Sequence, residues 1–402
     1  MRKLYANYMD TFKGLSKEVW WLSLITLINR AGTMVIPFLS LYLTESLEFT
    51  LPNVAWIMTC FGLGSTAGSW IGGKLTDRFG YYKVMAISLL LTGFLFIGLQ
   101  YVSTLAGFCI GIFLVMTVAD SFRPAMFVAL SAYSKPENKT RSVTLIRLAI
   151  NLGFTAGPAV GGLIIATIGY QGLFWVDGVT CLLAVILLIK VLHPKKAVQL
   201  DEVKVENPVS VYKDKAFWIF FVAMFIFGFV FLQYFSTMPL YYRNVYHLEE
   251  FEIGLLFGLN GLIIFLLEMP LIAWLQRVSE SKVKMMLIGL TLTGLSFVVL
   301  FIPWIGVLVI GIVLMTIGEM IAFPFSNAFA IDRAKKGNLG EYMALYAISF
   351  SLSHIFGHNS GLQMIDKIGY NNTWLFISVL SFIGVLFLGW LIQYLKKEKL
   401  TI

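Results

Sequence analysis

Unbroken apolar runs of about 20 residues recur along almost the whole chain, the length needed to cross a bilayer as a helix. Examples are VMAISLLLTGFLFIGL (Val84–Leu99) and FWIFFVAMFIFGFVFL (Phe217–Leu232). Strands of a membrane barrel would alternate apolar and polar residues, and these runs do not. Of the 402 residues, 58% are hydrophobic and 13% charged, about half the charged share of a soluble domain. Such a chain could not cover itself with polar surface in water. In lipid, where backbone polar groups must be satisfied within the chain, helices are the expected element. The fold class is therefore an all-α membrane protein.

The runs predict twelve transmembrane helices, at roughly 19–44, 52–74, 84–101, 105–133, 142–168, 171–192, 215–242, 252–276, 283–302, 305–331, 340–366 and 372–395. One long polar stretch, 193–214 (HPKKAVQLDEVKVENPVSVYKD), divides them. The expected organisation is an N-terminal six-helix bundle (1–192), a cytoplasmic linker (193–214) and a C-terminal six-helix bundle (215–402). Basic residues crowd one set of connections: Lys74, Arg78 and Lys83; Lys135, Lys139 and Arg141; Lys195, Lys196 and Lys204; Arg277, Lys282 and Lys284; Arg333, Lys335 and Lys336. By the positive-inside rule these loops and both termini are cytoplasmic. The net charge of +8 is explained by those loops and implies no nucleic acid. The basic, polar start lacks the pattern of a cleavable signal, so the first run reads as a retained helix. Cys60, Cys109 and Cys181 all lie in apolar runs and read as small buried hydrophobes, with no disulfide or metal spacing.

The two halves repeat. Shifted by 200 residues, Gly111, Gly157, Gly161 and Gly169 fall on Gly311, Gly357, Gly361 and Gly369, and Pro124 falls on Pro324. Ile168-Gly169-Tyr170 falls on Ile368-Gly369-Tyr370. Parallel halves with a substrate site between them near the midplane are a recurring transporter plan.

GGKLTDRFGYYK (Gly72–Lys83) occupies the short loop after the second span. Gly73, Asp77, Arg78, Gly80 and Lys83 resemble the loop motif of the major facilitator superfamily, with Tyr81 and Tyr82 standing where a basic residue is usual. The resemblance implies the major facilitator fold and a conformational latch at this loop. Glycine permits the tight turn, and Asp77 could meet a helix N-terminus or an arginine. The corresponding loop of the second half, Gln276–Lys284, is degenerate. A second run, NLGFTAGPAVGG (Asn151–Gly162), resembles the glycine-proline motif of that family's drug:proton antiporters through Gly153, Gly157, Pro158, Gly161 and Gly162. Small residues at four-residue spacing let a neighbouring helix approach closely, and Pro158 removes a backbone hydrogen bond.

Ionisable residues inside spans each cost about 2.5–3.5 kcal/mol or more at mid-bilayer, so they point to function. Glu319 sits in TIGEMIAFPFSNA, with Phe323 and Asn327 at four-residue steps on one face. The run from Thr316 to Pro324 resembles the antiporter segment whose glutamate carries the proton. Carboxylates in apolar surroundings favour their neutral form, which brings proton uptake toward neutral pH. Asp120 and Arg123 lie three apart on the fourth span, and Arg30 of the first span is expected to join them. Glu268 precedes Pro270 in the eighth span. Glu319, Asp120 and Glu268 are the candidate proton-coupling residues. Asn29, Arg30, Arg123, Arg147, Asn151, Gln233, Tyr234, Phe323, Asn327, Tyr346 and His354 are the candidate cavity residues. Asp177 and Asp332 lie nearer span ends, where solvated roles are expected. His354 and His358 share a face without a carboxylate nearby in sequence, so they read as packing and no metal site is expected.

No nucleophile–base pair or phosphate loop appears, which argues against an enzyme. The expectation is a monomeric, multi-pass carrier of the bacterial cytoplasmic (inner) membrane. It would need no cofactor, run on the proton motive force by alternating access, and export amphipathic, drug-like compounds. The alternative is a proton-coupled nutrient importer. NRAGTMVIPFLSLYLT and INLG resemble segments of oligopeptide transporters, but Thr26 and Asn29 stand where that family's coupling glutamates would be.

Overall fold

The computed structural model describes residues 14–135, 139–195, 210–278, 281–334 and 339–400. Most of the expected linker, 196–209, lies outside the described residues, as do Lys335 and Lys336. The elements are α1 (Lys17–Ala31), α2 (Val35–Leu41, ending in a π turn at Tyr42–Ser46), α3 (Leu51–Phe79), α4 (Tyr81–Leu99), α5 (Leu105–Tyr133), α6 (Lys139–Ile168) and α7 (Gln171–Val191). They continue as α8 (Lys215–Ser236), α9 (Met238–Tyr246), α10 (Glu250–Val278), α11 (Lys282–Val298), α12 (Val307–Ala334) and α13 (Leu339–Leu400). Among the described residues, eleven helical stretches are long and apolar enough to cross a membrane. The last is bent at Gly369 (φ 75°, ψ 175°), a conformation that separates α13 into two arms.

Helix starts carry the caps that orphan N–H groups need. Ser16 Oγ accepts from Val19 N–H at 3.3 Å, and Thr104 Oγ1 from Gly107 N–H at 3.2 Å. Asp214 Oδ1 accepts from Phe217 N–H at 3.2 Å. Large apolar side chains stand exposed in rows, such as Ile87, Leu90, Leu91 and Phe94 on α4, or Val379, Phe382, Leu386 and Trp390 on α13. Apolar surface on that scale marks a lipid-facing or partner-facing wall rather than a wet one.

The chain folds as two compact units. The first takes in the described residues of Met1–Leu39, Cys60–Asp201 and Glu249–Phe265. Its core holds Leu22 and Ile25 of α1, Met85 and Leu89 of α4, Phe122 and Met126 of α5, and Val185 and Leu188 of α7. The second takes in Ser40–Thr59, Glu202–Leu248 and Leu266–Ile402, again for the described residues. Its core holds Phe217, Phe220 and Phe227 of α8, Met286 and Leu290 of α11, Phe325 and Phe329 of α12, and Tyr342 and Leu388 of α13.

Candidate functional site

The first unit contains an interruption in the opening span. Proline at 37 has no N–H and its ring crowds the carbonyl four residues earlier, at Thr33. The helical ladder fails there: Thr33 N–H bonds Arg30 O at 3.1 Å, a tighter turn. With the first helix ended at Ala31 and the next begun at Val35, the N–H groups of Met34 and Val35 have no helical acceptor. Both are taken by one carboxylate, Asp177 of α7, at 2.9–3.0 Å from Met34 and 3.0 Å from Val35. Asp177 is fully buried. The expectation of a solvated role for it is therefore corrected: its place on α7 faces the break rather than water. Asp332 fits the expectation, exposed and paired with Lys282. Gly32 lies hard against α7 as well, since an added Cβ would fall 1.8 Å from Thr180 Oγ1.

Beside this break is a cavity of about 40 Å3. Asn29, Arg30 and Thr33 line it from the first span, Ser88 and Thr92 from α4, Asp120 from α5, and Cys181 from α7. The structure thus brings together three of the sequence-predicted residues, Asn29, Arg30 and Asp120. Asp120 accepts a short hydrogen bond from Ser65 of α3. Asn29 Nδ2 reaches Cys181 Sγ at 3.6 Å. The Arg30 guanidinium stands 5.8 Å from the Phe154 ring, and its Nε–H is buried without an acceptor, as is the Thr92 hydroxyl. Arg123 and Arg147 are exposed on α5 and α6, and Asn151 is half-buried; none of the three lines the cavity.

The glycines of α6 serve two edges. Gly153 and Gly157 face the end of α1, where added Cβ atoms would lie 2.6 Å from Arg30 Cβ and 3.1 Å from Ala31 O. Gly161 faces Met34 and Phe38. Gly162 faces the start of α10, 2.5 Å from Glu250 O on the same measure, while Gly254 of α10 faces Pro158 O. In the loop motif, Gly80 has φ 83° and caps α4. Asp77, Arg78 and Lys83 are exposed, and Arg78 lies 5.2 Å from the Phe79 ring. Gly73 has open space around it, whereas Gly64, Gly68 and Gly72 press on the backbone of α5. That four-residue series was missed in the sequence, although its spacing is the usual signal of close helix approach.

In the second unit, Glu319 is half-buried on α12. One turn on, Phe323 meets Phe227 and Phe231 of α8 at 5.1 and 5.2 Å and stacks on Phe350 of α13 at 5.4 Å. Phe231, Phe323 and Phe350 keep part of their surface open. The Tyr346 hydroxyl is 2.8 Å from Ser326 Oγ, and Asn327 is exposed. Gln233 and Tyr234 are fully buried. The Gln233 amide donates to Phe229 O and Gly357 O at 3.0 and 2.8 Å, which ties α8 to α13. Glu268 is buried on α10. His354 and His358 lie 5.5 Å apart by ring centroids. Among the described residues, no three His, Cys, Asp or Glu side chains converge as a metal-binding set.

A charge cluster, also missed in the sequence, closes one end of this unit. Arg333 of α12 donates to Asp214 (2.7 and 2.8 Å) and to Glu398 of α13 (2.7 and 3.0 Å), and the Tyr342 hydroxyl donates to Asp214 at 2.9 Å. Burial alone would raise the Asp214 pKa, but the Arg333 hydrogen bonds and charge, with Tyr342 and the Phe217 N–H, outweigh it. The carboxyl therefore titrates below its ordinary value.

Apolar helices of spanning length, with an interrupted first span and buried ionisable groups, mark a polytopic membrane protein. The sequence pattern of the Major Facilitator Superfamily matches residues 22–358 and again 251–401, and the chain belongs to that family. It is a transporter, not an enzyme. It is 26% identical over 405 residues to the uncharacterized MFS-type transporter YqjV of Bacillus subtilis, covering 97% of both chains. It is 21% identical to a Na(+), Li(+), K(+)/H(+) antiporter of Planococcus maritimus, over 88% of this chain and 90% of that one. Over 178 residues (43% of this chain, 44% of the other) it is 28% identical to the quinolone resistance protein NorA of Staphylococcus aureus. A POT family transporter solved with a thioalcohol-conjugated peptide shares the fold, with a TM-score of 0.79 at 16% identity over 97% of this chain and 98% of that one.

Proposed function

We propose that this chain is a proton-coupled secondary transporter that exports amphipathic compounds across the cytoplasmic membrane of a bacterium by alternating access. The observation that carries the reading is a carboxylate, Glu319, one helical turn from the half-open aromatic set Phe231, Phe323 and Phe350. Rings of that kind hold an apolar or cationic body by area and by their quadrupoles. A carboxylate beside them can exchange a proton for the cargo, biasing one state by differential affinity. Similarity to an antiporter and to a quinolone resistance protein supports the same reading. In this scheme twelve crossings form two six-helix bundles, 1–192 and 215–402, with both termini cytoplasmic. Asp120 and Glu268 would be secondary proton sites, and Asp77, Arg78 and Lys83 the latch between states.

The test is transport by Glu319→Gln in proteoliposomes under an imposed pH gradient, with folding checked by size exclusion. Gradient-driven extrusion of a fluorescent cation should be abolished while the protein remains monodisperse. Normal extrusion by that variant would remove Glu319 from the scheme. Uptake of a labelled dipeptide, without extrusion of the cation, would replace export by nutrient import.

A further inference from the structure

We propose that the cavity beside the break in the opening span is a binding site for a compact monoanion of chloride size. The argument starts from Arg30. A buried cation is tolerated when a counter-charge or a full set of acceptors meets it. Among the described residues no ion pair joins Arg30 to Asp120, whose hydrogen bond goes to Ser65. The Arg30 Nε–H has no acceptor, and its guanidinium has the Phe154 ring as its neighbour on one side. From α4 the Thr92 hydroxyl, 3% exposed, also has no partner. Asn29 has a second amide N–H beyond the one directed at Cys181 Sγ. Ser88 directs its own proton to Met85 O at 3.1 Å, so it adds no donor to the space.

Two buried, unsatisfied donors on different helices thus border one small space. Its volume of about 40 Å3 exceeds what a single water occupies on this measure, about 10–15 Å3, and suits one ion of chloride size. Water could satisfy the donors, but Asp120, the one nearby counter-charge, is held by Ser65 and makes no ion pair with Arg30. Asp120 is the carboxylate that lines the space and exerts the largest charge effect on Arg30, an attraction; Arg123 on the same helix, outside the cavity lining, opposes it with positive field. With Asp120 ionised, these three groups still sum to an excess of one positive charge. A metal cation would meet that excess, so the sign of the occupant is negative. The site rests on packing inside the first unit and does not depend on the role given to Glu319 or on the direction of transport.

The experiment is thermal unfolding of the purified full chain in detergent, titrated with sodium chloride against sodium gluconate at constant ionic strength. Sodium bromide and sodium sulfate form parallel arms. Chloride and bromide should raise the melting temperature saturably, as a ligand of the folded state does, while gluconate and sulfate should not. Thr92→Val removes one donor to the ion and should move the chloride midpoint up about tenfold. Asp120→Asn removes a repelling charge and should move it down. Bromide-soaked crystals should place the anomalous peak between Arg30 and Thr92. The proposal is overturned by an equal response to chloride and gluconate, by a midpoint unmoved in Thr92→Val, or by a response abolished in Asp120→Asn, which would mark a cation or a non-specific salt effect.

Discussion

Asp177 spends both carboxylate oxygens on the main chain of another span, so its role is to replace the helical acceptors that Met34 and Val35 lose at the break. Asparagine at this position has the same shape but only one acceptor oxygen. With that oxygen in the Oδ2 place both N–H groups keep an acceptor, but the amide NH2 then faces the Met34 N–H donor, so Asp177→Asn should lower stability by about 1–3 kcal/mol. A thermal melt in detergent measures the loss, and a cysteine placed at Thr33 should become more reactive in the same background. Asp214 gives a pH dependence of defined sign. Its folded pKa is depressed, so it contributes stability above the unfolded value of 3.8. That contribution fades as pH falls through the lower folded value. In a series of melts from pH 6 downward, the wild type should lose an increment of stability below about pH 4 that Asp214→Asn lacks at every pH. An identical pH profile for the two proteins would refute this. Sequence reading grouped Asp120 with Arg123 and, through the family resemblance, with Arg30; Arg30 and Asp120 do share a cavity, but Arg123 is exposed and outside it. It misjudged Asp177, because distance from a span end says nothing about a helix break in a different span. It could not see the Asp214–Arg333–Glu398 cluster, whose members lie 65 or more residues apart.

Between elements, glycine decides how close two helices come. The family-like loop drew attention to Gly73, yet Gly73 has no atom within 4 Å of an added Cβ, whereas Gly68 would place one 2.4 Å from Thr117 O. Gly68→Val should therefore separate α3 from α5 and cost about 1–3 kcal/mol or more. Gly73→Ala should leave the melting temperature within about 0.5 kcal/mol of wild type. Comparing the folded yield and melt of the two variants tests the assignment; equal damage from both would contradict it. Hydropathy made the apolar spans legible because lipid imposes one secondary structure. The internal break after Ala31 was not legible, since run length does not reveal where the ladder slips; the joint expected between 340–366 and 372–395 does fall at a non-helical residue, Gly369. The 200-residue repeat was legible through glycine, and the backbone explains why: Gly169 and Gly369 share positive φ, 85° and 75°.

For the molecule as a whole, sequence halves and compact units do not coincide. Ser40–Thr59 comes from the first half but belongs to the second unit, and Glu249–Phe265 makes the reverse exchange. Within the second unit, Glu45 accepts from Arg243 at 2.8 Å and Asn359 donates to Thr59 Oγ1 at 2.8 Å. Within the first, Tyr170 Oη donates to Glu250 Oε1 at 3.2 Å. The Glu45–Arg243 pair is about one-third exposed, and such pairs add about 0–1 kcal/mol. Alternating access would require these contacts to be broken and remade, and weak contacts suit that. Cysteines at Glu45 and Arg243 joined by a short bifunctional thiol reagent should halt transport, and a cleavable reagent should restore it on reduction. Undiminished transport by the crosslinked protein would show that this contact persists through the cycle.

The paired left-handed glycines bear on how such a chain diversifies. A side chain at either position would strain the backbone by roughly 1–2 kcal/mol, so both joints resist replacement for the same mechanical cause. Chemistry elsewhere is under no such restraint: Pro158 has His358 as its counterpart, and Asp177 has Ile377. The two halves thus keep matching joints, around which their chemistry is at liberty to diverge.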